Sequence, residues 1–120
     1  MVINAKHLDL TFGALADSTR RGMLLQLIGG EKNVSALVEA HDISQPAISK
    51  HLRVLERAGL IERRREGRQQ MIRLLPEKAE EAANWITYYT QFWKKQFDDV
   101  EAYLEKAKQK QKKQKQKGKS

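Results

Sequence analysis

Residues 44–74 read SQPAISKHLRVLERAGLIERRREGRQQMIRL, and the first half of this stretch predicts an amphipathic helix. Ser44 is a good N-cap, and Pro46 in the first turn loses no hydrogen bond, because the first N–H groups of a helix have no partner inside it. Three apolar residues recur at intervals of four and three and therefore share one face: Ile48, Leu52 and Leu55. Gly59 favours the end of the helix, since glycine readily adopts the left-handed conformation found there.

The second half of the stretch predicts a β-hairpin. Residues 60–65 and 69–75 have the composition of two strands, and the turn between them, Glu66-Gly67-Arg68, contains a glycine. Pro76 ends the second strand. A hairpin that follows a helix-turn-helix is the wing of a winged-helix domain.

Three shorter helices are expected before residue 44. The first begins near Leu8 and ends near Ala16, and the second is capped by Asp17-Ser18 and ends at Gly29-Gly30. The predicted buried stripe of the second helix is Met23, Leu24, Leu27 and Ile28. The third helix is capped by Asn33 or Ser35 and ends near Ala40. A tight turn then leads to the helix after Ser44, and this pair matches the helix-turn-helix pattern.

One long helix is expected from Glu77 to about Lys106, with acidic residues at its start and lysines at its end. It would be roughly 45 Å long, which is more than a small domain needs to cover itself. Its broad aromatic stripe predicts a dimerisation surface, with the first helix as its partner. The predicted dimer residues are Leu8, Phe12, Ile86, Tyr89, Trp93, Phe97, Val100 and Leu104. The expected fold is therefore mainly α with a small β-hairpin, a winged helix-turn-helix with a long C-terminal dimerisation helix.

Charge divides the 120-residue chain into two parts. The net charge is +8, but residues 106–120 hold eight lysines and no acidic residue, so residues 1–105 balance 15 basic against 15 acidic groups. We expect residues 1–105 to form one domain and residues 106–120 a flexible Lys/Gln-rich tail. Within the neutral domain, residues 44–73 carry eight basic and three acidic groups. That local excess of +5 marks the helix-turn-helix and the wing as a candidate surface for nucleic acid.

Several classes of protein are excluded or disfavoured. The chain has no cysteine, and its three histidines, His7, His41 and His51, do not have the spacing of metal ligands on one helix face. No carboxylate pair, nucleophile–base set or phosphate-binding loop is present, so we expect neither an enzyme nor a cofactor. No run of about 18 apolar residues and no secretory signal occur, which favours a soluble cytoplasmic protein with no membrane partner.

The exposed face of the fourth helix carries the candidates for reading DNA bases. With the apolar stripe facing inward, the outward residues are Gln45, Pro46, Ser49, Lys50 and Arg53. Gln can bond bidentately to adenine, Lys can reach guanine, and Ser can bond to several bases in the major groove. The arginines of the hairpin favour contact with phosphates or the minor groove. Because side chains alternate along a strand, Arg63 and Arg65 cannot point the same way as Arg64.

These motifs together resemble the ArsR family of winged helix-turn-helix repressors over residues 8–105. The matching residues are Ser44, Ser49, His51, Leu52, Leu55, Ala58, Gly59, Leu60, Arg64, Glu66, Gly67 and Arg68. Residues 15–21, LADSTRR, are similar to the family's start of the second helix, although Ser18 stands where proline is common. In the family, the positions matching Gln45, Pro46, Ser49 and Lys50 lie at the DNA. The predicted DNA-binding residues are Ser44, Gln45, Pro46, Ser49, Lys50, His51 and Arg53 on the helix, and Arg63, Arg64, Arg65, Gly67 and Arg68 on the wing.

The resemblance implies a homodimeric repressor of double-stranded DNA with a dyad-symmetric operator. Two interpretations of His51 stay open: a contact with a phosphate or a base of DNA, or a structural or surface residue. The family's metal sites do not carry over, because the third helix has no cysteine and the last helix no histidine. The inducing signal therefore stays open, and a small apolar ligand, a partner protein or a dimer rearrangement are the alternatives. A second hypothesis is a protein- or RNA-binding module that is anchored by the Lys-rich tail. The alternative for the tail itself is a solubilising extension with no specific partner.

Overall fold

The computed structural model describes the backbone of residues 5–117 and the side chains of residues 5–115. The elements are α1 (Ala5–Leu15), α2 (Ser18–Leu27), β1 (Lys32–Asn33), α3 (Val34–Ala40), α4 (Gln45–Arg57), β2 (Ile61–Glu66), β3 (Gln69–Leu74) and α5 (Glu77–Lys117). This order of helices and strands confirms the predicted winged helix-turn-helix fold. The chain divides after Asn84 into two compact units, the first of which contains the helix-turn-helix and the wing.

Side-chain caps fix the starts of α2, α3 and α4. The side chain of Asp17 accepts a hydrogen bond from Arg20 N at 3.0 Å, and Ser44 Oγ accepts one from Ala47 N at 3.3 Å. Asn33, one of the two predicted alternatives, caps α3 by accepting from Ala36 N at 2.8 Å. Each cap satisfies a backbone N–H group that the helix leaves without a partner.

Gly59 ends α4 as the sequence predicts. Its φ of +75° lies in the left-handed region, and its N–H donates to Glu56 O at 3.0 Å while Leu60 N–H donates to Leu55 O at 3.0 Å. This pair of bonds is a Schellman motif, which satisfies the last carbonyls of the helix. The chain thereby turns directly from α4 into β2, so the wing follows the helix within a few residues.

The wing belongs to a three-stranded antiparallel sheet with the order β1-β3-β2. The predicted hairpin is β2 and β3, with Arg64 opposite Met71 in the register. Gly67, with φ +61°, is the first residue of its two-residue loop, and a glycine there suits the turns that match the twist of the strands. The short strand β1 was not predicted, because two residues carry no periodicity.

The connected core of the first unit is built by buried residues of α1, α2, α3, α4, β2 and β3, and Ala82 near the start of α5 is buried as well. Its fully buried large apolar residues are Met23, Leu37, Ile48, Leu52, Leu55, Ile61 and Ile72, which confirms the predicted inner face of α4. The prediction that Ile28 is buried is wrong, since this residue is 68 % exposed. Met23 and Leu27 take the core side of α2, and Ile28, one residue further around the helix, lines an open apolar groove of about 700 Å³ with Leu24 and Leu25.

Helix α5 continues from Glu77 to Lys117, past the expected end near Lys106. Lys and Gln are good helix formers, so the composition of residues 106–117 supports a helix even though it builds no core. Residues 118–120 of the expected tail lie outside the described residues.

Asp17 gives the fold a measurable dependence on pH. The hydrogen bond from Arg20 N holds the pKa of the Asp17 carboxyl below its ordinary value. Because the pKa is lowered on folding, the carboxylate stabilises the fold at neutral pH, and this contribution is lost as the pH falls below about 4. We expect D17N, which caps without a charge, to lose less thermal stability than the wild type between pH 5 and 3, and D17A to be less stable at pH 7. If the melting temperatures of the wild type and D17N fall by the same amount between pH 5 and 3, this assignment is contradicted.

Candidate nucleic-acid interface

The outer side of α4 presents a continuous stripe opposite the core residues. Pro46, Lys50, Arg53 and Arg57 follow one another at intervals of four, three and four, and all four are exposed. The first three were predicted from the sequence, and Arg57 was not. Its spacing of four residues from Arg53 is the signal that could have found it. The stripe is long enough to follow a groove of the duplex over three turns of helix.

A polar cleft adjoins this stripe on the side of the wing. It has a volume of about 490 Å³. The lining residues are Asn33, Val34, Ser35, Gln45, Ser49, Arg63, Arg68, Gln69 and Gln70, and none of them is acidic. Of the predicted residues, Gln45 and Ser49 therefore share one concave surface with Arg63 and Arg68. Ser44 stands at the start of α4, where its Oγ accepts from Ala47 N, and Gly67 stands in the turn of the wing.

Three arginines of the hairpin are held by carboxylates of the same molecule. Arg63 Nε lies 3.2 Å from Glu56 Oε2 of α4, although without the geometry of a hydrogen bond. Arg73 pairs with Glu62 on the neighbouring strand. Arg64 donates to Glu31 at 3.0 Å and to Glu66 at 3.1 Å.

These pairs have a structural role. The hydrogen bond to Glu31 raises the pKa of Arg64, because the carboxylate stabilises the charged guanidinium. Glu31 precedes β1 and Glu56 lies on α4, so Arg64 and Arg63 tie the wing to its neighbours. Exposed pairs of this kind contribute little to stability, but in each pair the carboxylate neutralises the positive charge of the arginine.

The positive charge that remains is concentrated in five side chains. Within residues 44–73, Arg63, Arg64 and Arg73 each have a carboxylate partner. Among the residues that the structure describes, no ion pair is formed by Lys50, Arg53, Arg57, Arg65 or Arg68. Because the three acidic groups of the segment are all paired, these five residues carry its whole excess of +5. They lie on the outer stripe of α4 and at the end of the hairpin.

His51 has a different environment from the other predicted residues of α4. Its ring lies on the side that faces α2, where Nδ1 is 3.2 Å from Arg20 Nη1 and 4.0 Å from Asp17 Oδ2. Its side chain is 22 % exposed, whereas Lys50 and Arg53 beside it are open to solvent. Sequence reasoning could not distinguish these positions, since the partners of His51 are about 30 residues away.

The second unit, residues 85–120, presents an aromatic surface on α5. Trp85, Tyr89, Trp93 and Phe97 follow one another at intervals of four, with ring centroids 5.4 to 6.0 Å apart. Trp93 is 45 % and Phe97 67 % exposed. The other predicted dimer residues of α5 are also exposed: Ile86, Tyr89, Val100 and Leu104. In the first unit, Leu8 and Phe12 of α1 are half-buried.

Between residues 5 and 117, His, Asp and Glu side chains form no group of three that could hold a metal ion. Over the same range, no helix is both long and apolar enough to cross a membrane.

Comparison with known proteins gives consistent matches. Residues 17–63 match a family described as "Bacterial regulatory protein, arsR family". The arsenical resistance operon repressor of Escherichia coli (strain K12) is 39 % identical over 94 residues, which cover 78 % of each chain. The crystal structure of an ArsR family transcriptional regulator has 31 % identity and a TM-score of 0.73, and the match covers 78 % of this chain and 97 % of that one. A homodimeric winged helix-turn-helix DNA-binding domain from Mycobacterium bovis has 28 % identity and a TM-score of 0.58, covering 72 % and 82 %.

Proposed function

Since this chain belongs to the ArsR family of bacterial transcriptional regulators, we propose that it is a homodimeric repressor that inserts two copies of α4 into successive major grooves of a dyad-symmetric operator. The observation that carries the proposal is the group of five unpaired basic residues that gathers on α4 and the wing, although residues 1–105 as a whole have no net charge. A regulator that binds DNA needs such a group to displace counterions from the phosphates. An enzymatic function is not favoured in a family of regulators.

Base recognition is assigned to the first two turns of α4. Gln45, Ser49 and Lys50 offer the donors and acceptors that discriminate bases in the major groove, and Pro46 offers an apolar surface for a thymine methyl group. The unpaired groups Arg53, Arg57, Arg65 and Arg68 are assigned to the phosphates or the minor groove. We assign the paired Arg63 and Arg64 to holding the wing in place.

Dimerisation is assigned to the aromatic surface of α5, together with Leu8 and Phe12 of α1. Large apolar side chains that are about half exposed in a single copy are typical of subunit interfaces. The relative from Mycobacterium bovis is itself homodimeric, which supports the same assembly here. Two recognition helices related by a twofold axis require half-sites about 34 Å apart.

The proposal is tested by selecting binding sites from a pool of random duplexes with the full chain. We expect the enriched sequences to form an imperfect palindrome, and the same duplex to be bound with an affinity at least about 1000-fold above that for random DNA. Enrichment of RNA in a parallel pool, or of duplexes without symmetry, would support the interaction-module hypothesis. Removal of residues 106–120 should leave the sequence preference intact, since no base-reading residue lies there.

The distinction between paired and unpaired arginines predicts different salt dependences. R68Q removes an unpaired charge at the wing and should reduce the slope of log affinity against log salt by about 0.9, the value for one phosphate contact. R73Q, the matched control, removes an arginine already paired with Glu62 and should leave the slope nearly unchanged. Fluorescence anisotropy titrations at several salt concentrations measure both slopes. Equal slopes for the two variants would show that the ion pairs do not decide which arginines meet DNA.

A further inference from the structure

One side chain connects the end of α1 to the middle of α4. The guanidinium of Arg20 donates from Nε to Ala14 O at 2.7 Å and from Nη2 to Gly13 O at 3.0 Å. These carbonyls belong to the last turn of α1, where the regular helical N–H partners are missing, and Gly13 O accepts one backbone bond, from Ala16 N at 3.3 Å. The third nitrogen, Nη1, lies 3.2 Å from His51 Nδ1. Arg20 is itself on α2, so its guanidinium joins three helices.

The contact with Arg20 determines the tautomer of His51. A guanidinium can only donate, so Nδ1 of His51 must accept, and in the neutral ring the proton is then on Nε2. Asp17 Oδ2, at 4.0 Å from Nδ1, is too far for a hydrogen bond and instead accepts from Arg20 N at 3.0 Å. Arg20 therefore holds the ring of His51 through Nη1, while its Nε and Nη2 are bound to carbonyls of α1.

We propose that Arg20 is a positioning residue for sequence-specific binding: it holds α4, through His51 Nδ1, in a fixed orientation to the end of α1. This proposal rests on the proposed function, because the orientation matters when α4 enters the major groove. Leu8 and Phe12 lie on the same helix α1 and are assigned to the dimer surface. A shift of α1 at that surface would accordingly move the carbonyls that hold Arg20, and with them the recognition helix.

The competing role for His51 is a direct contact with DNA through Nε2. Two amide substitutions separate the two roles, because the amide of Asn can occupy the position of Nδ1 and that of Gln the position of Nε2. If His51 acts through Arg20, H51N should bind the selected operator within about twofold of the wild type, whereas H51Q should lose about three- to tenfold, as expected for one hydrogen bond. A direct contact predicts the reverse order. Positioning also leaves the salt slope of both variants unchanged, since no phosphate contact is lost.

The R20M variant tests whether the loss of affinity in H51Q depends on Arg20. In a chain carrying R20M, H51Q should cost no further affinity, because the partner of Nδ1 is already absent. Additive losses from R20M and H51Q would overturn the proposal, and so would a wild-type affinity for H51Q. Circular dichroism confirms that each variant is folded at the temperature of the titration.

A measurement without DNA keeps this proposal separate from the proposed function. Nitrogen NMR of the free chain, recorded at a pH where imidazole rings are neutral, should show the proton of His51 on Nε2, and R20M should change the shift of Nδ1. If the wild type selects no duplex while the NMR result is as expected, the proposed function fails and the contact stands as a structural link only. A proton on Nδ1 would overturn the contact itself.

Discussion

We expect Trp93→Asp to make the chain monomeric and to lower its affinity for a dyad-symmetric operator by at least about 100-fold. Trp93 lies in the middle of the aromatic row, between Tyr89 and Phe97, with ring centroids 6.0 Å from each. Central aromatic residues contribute most to interfaces, and removing one typically costs 2 kcal/mol or more. An aspartate adds the cost of burying a charge without a partner. Because one recognition helix alone reads only half of the operator, loss of the dimer lowers the affinity for the whole site.

Sedimentation equilibrium of the free protein and a titration with the operator measure the two parts of this prediction. The matched control is Q91D, which introduces the same charge two residues away, on the opposite side of α5, and leaves the aromatic row unchanged. Q91D should sediment as a dimer and bind DNA like the wild type. If W93D remains dimeric at micromolar concentration, the aromatic row is not the dimer surface.

We expect Ser49→Ala combined with Lys50→Ala to lower the affinity for the selected operator by about 100-fold or more and to relax the sequence preference. Each specific base contact is worth about 1 to 3 kcal/mol, so two contacts give at least this effect. Binding to random duplex should fall much less, because only one of the five unpaired charges is removed. The ratio of specific to non-specific affinity therefore measures base recognition.

A single variant provides the control for this double substitution. R53A removes an unpaired charge next to Lys50 on the same stripe and should weaken binding to every duplex by a similar factor. Gel-shift titrations with the operator and with a scrambled duplex distinguish the two outcomes. An equal loss of specific and non-specific affinity in S49A/K50A would assign Ser49 and Lys50 to the phosphates.

The elements of this fold were predictable where local chemistry decides them. Asp17 and Ser44 are strong caps, Gly59 adopts the left-handed conformation, and Gly67 marks the turn of the hairpin. The apolar spacing of Ile48, Leu52 and Leu55 identified the buried face of α4 because helix geometry alone fixes that face.

The features that were missed depend on contacts between distant parts of the chain. Sequence spacing could not show that Arg64 meets Glu31, 33 residues away, or that His51 meets Arg20 rather than solvent. The same limit explains Ile28, whose exposure depends on which side of α2 the other helices cover. The net charge of +5 in residues 44–73 was visible in the sequence. Which five side chains carry it became clear only from the ion pairs of the folded chain.

In the proposed complex, two copies of α4 read two half-sites of one duplex. Hydroxyl-radical footprinting of the wild-type chain on its selected operator tests this most directly. We predict two equivalent protected regions about 10 base pairs apart, related by the dyad of the sequence, with flanking protection by the wings. A single protected region, or protection with no relation to the dyad, would show that the chain does not bind through two symmetric copies of α4.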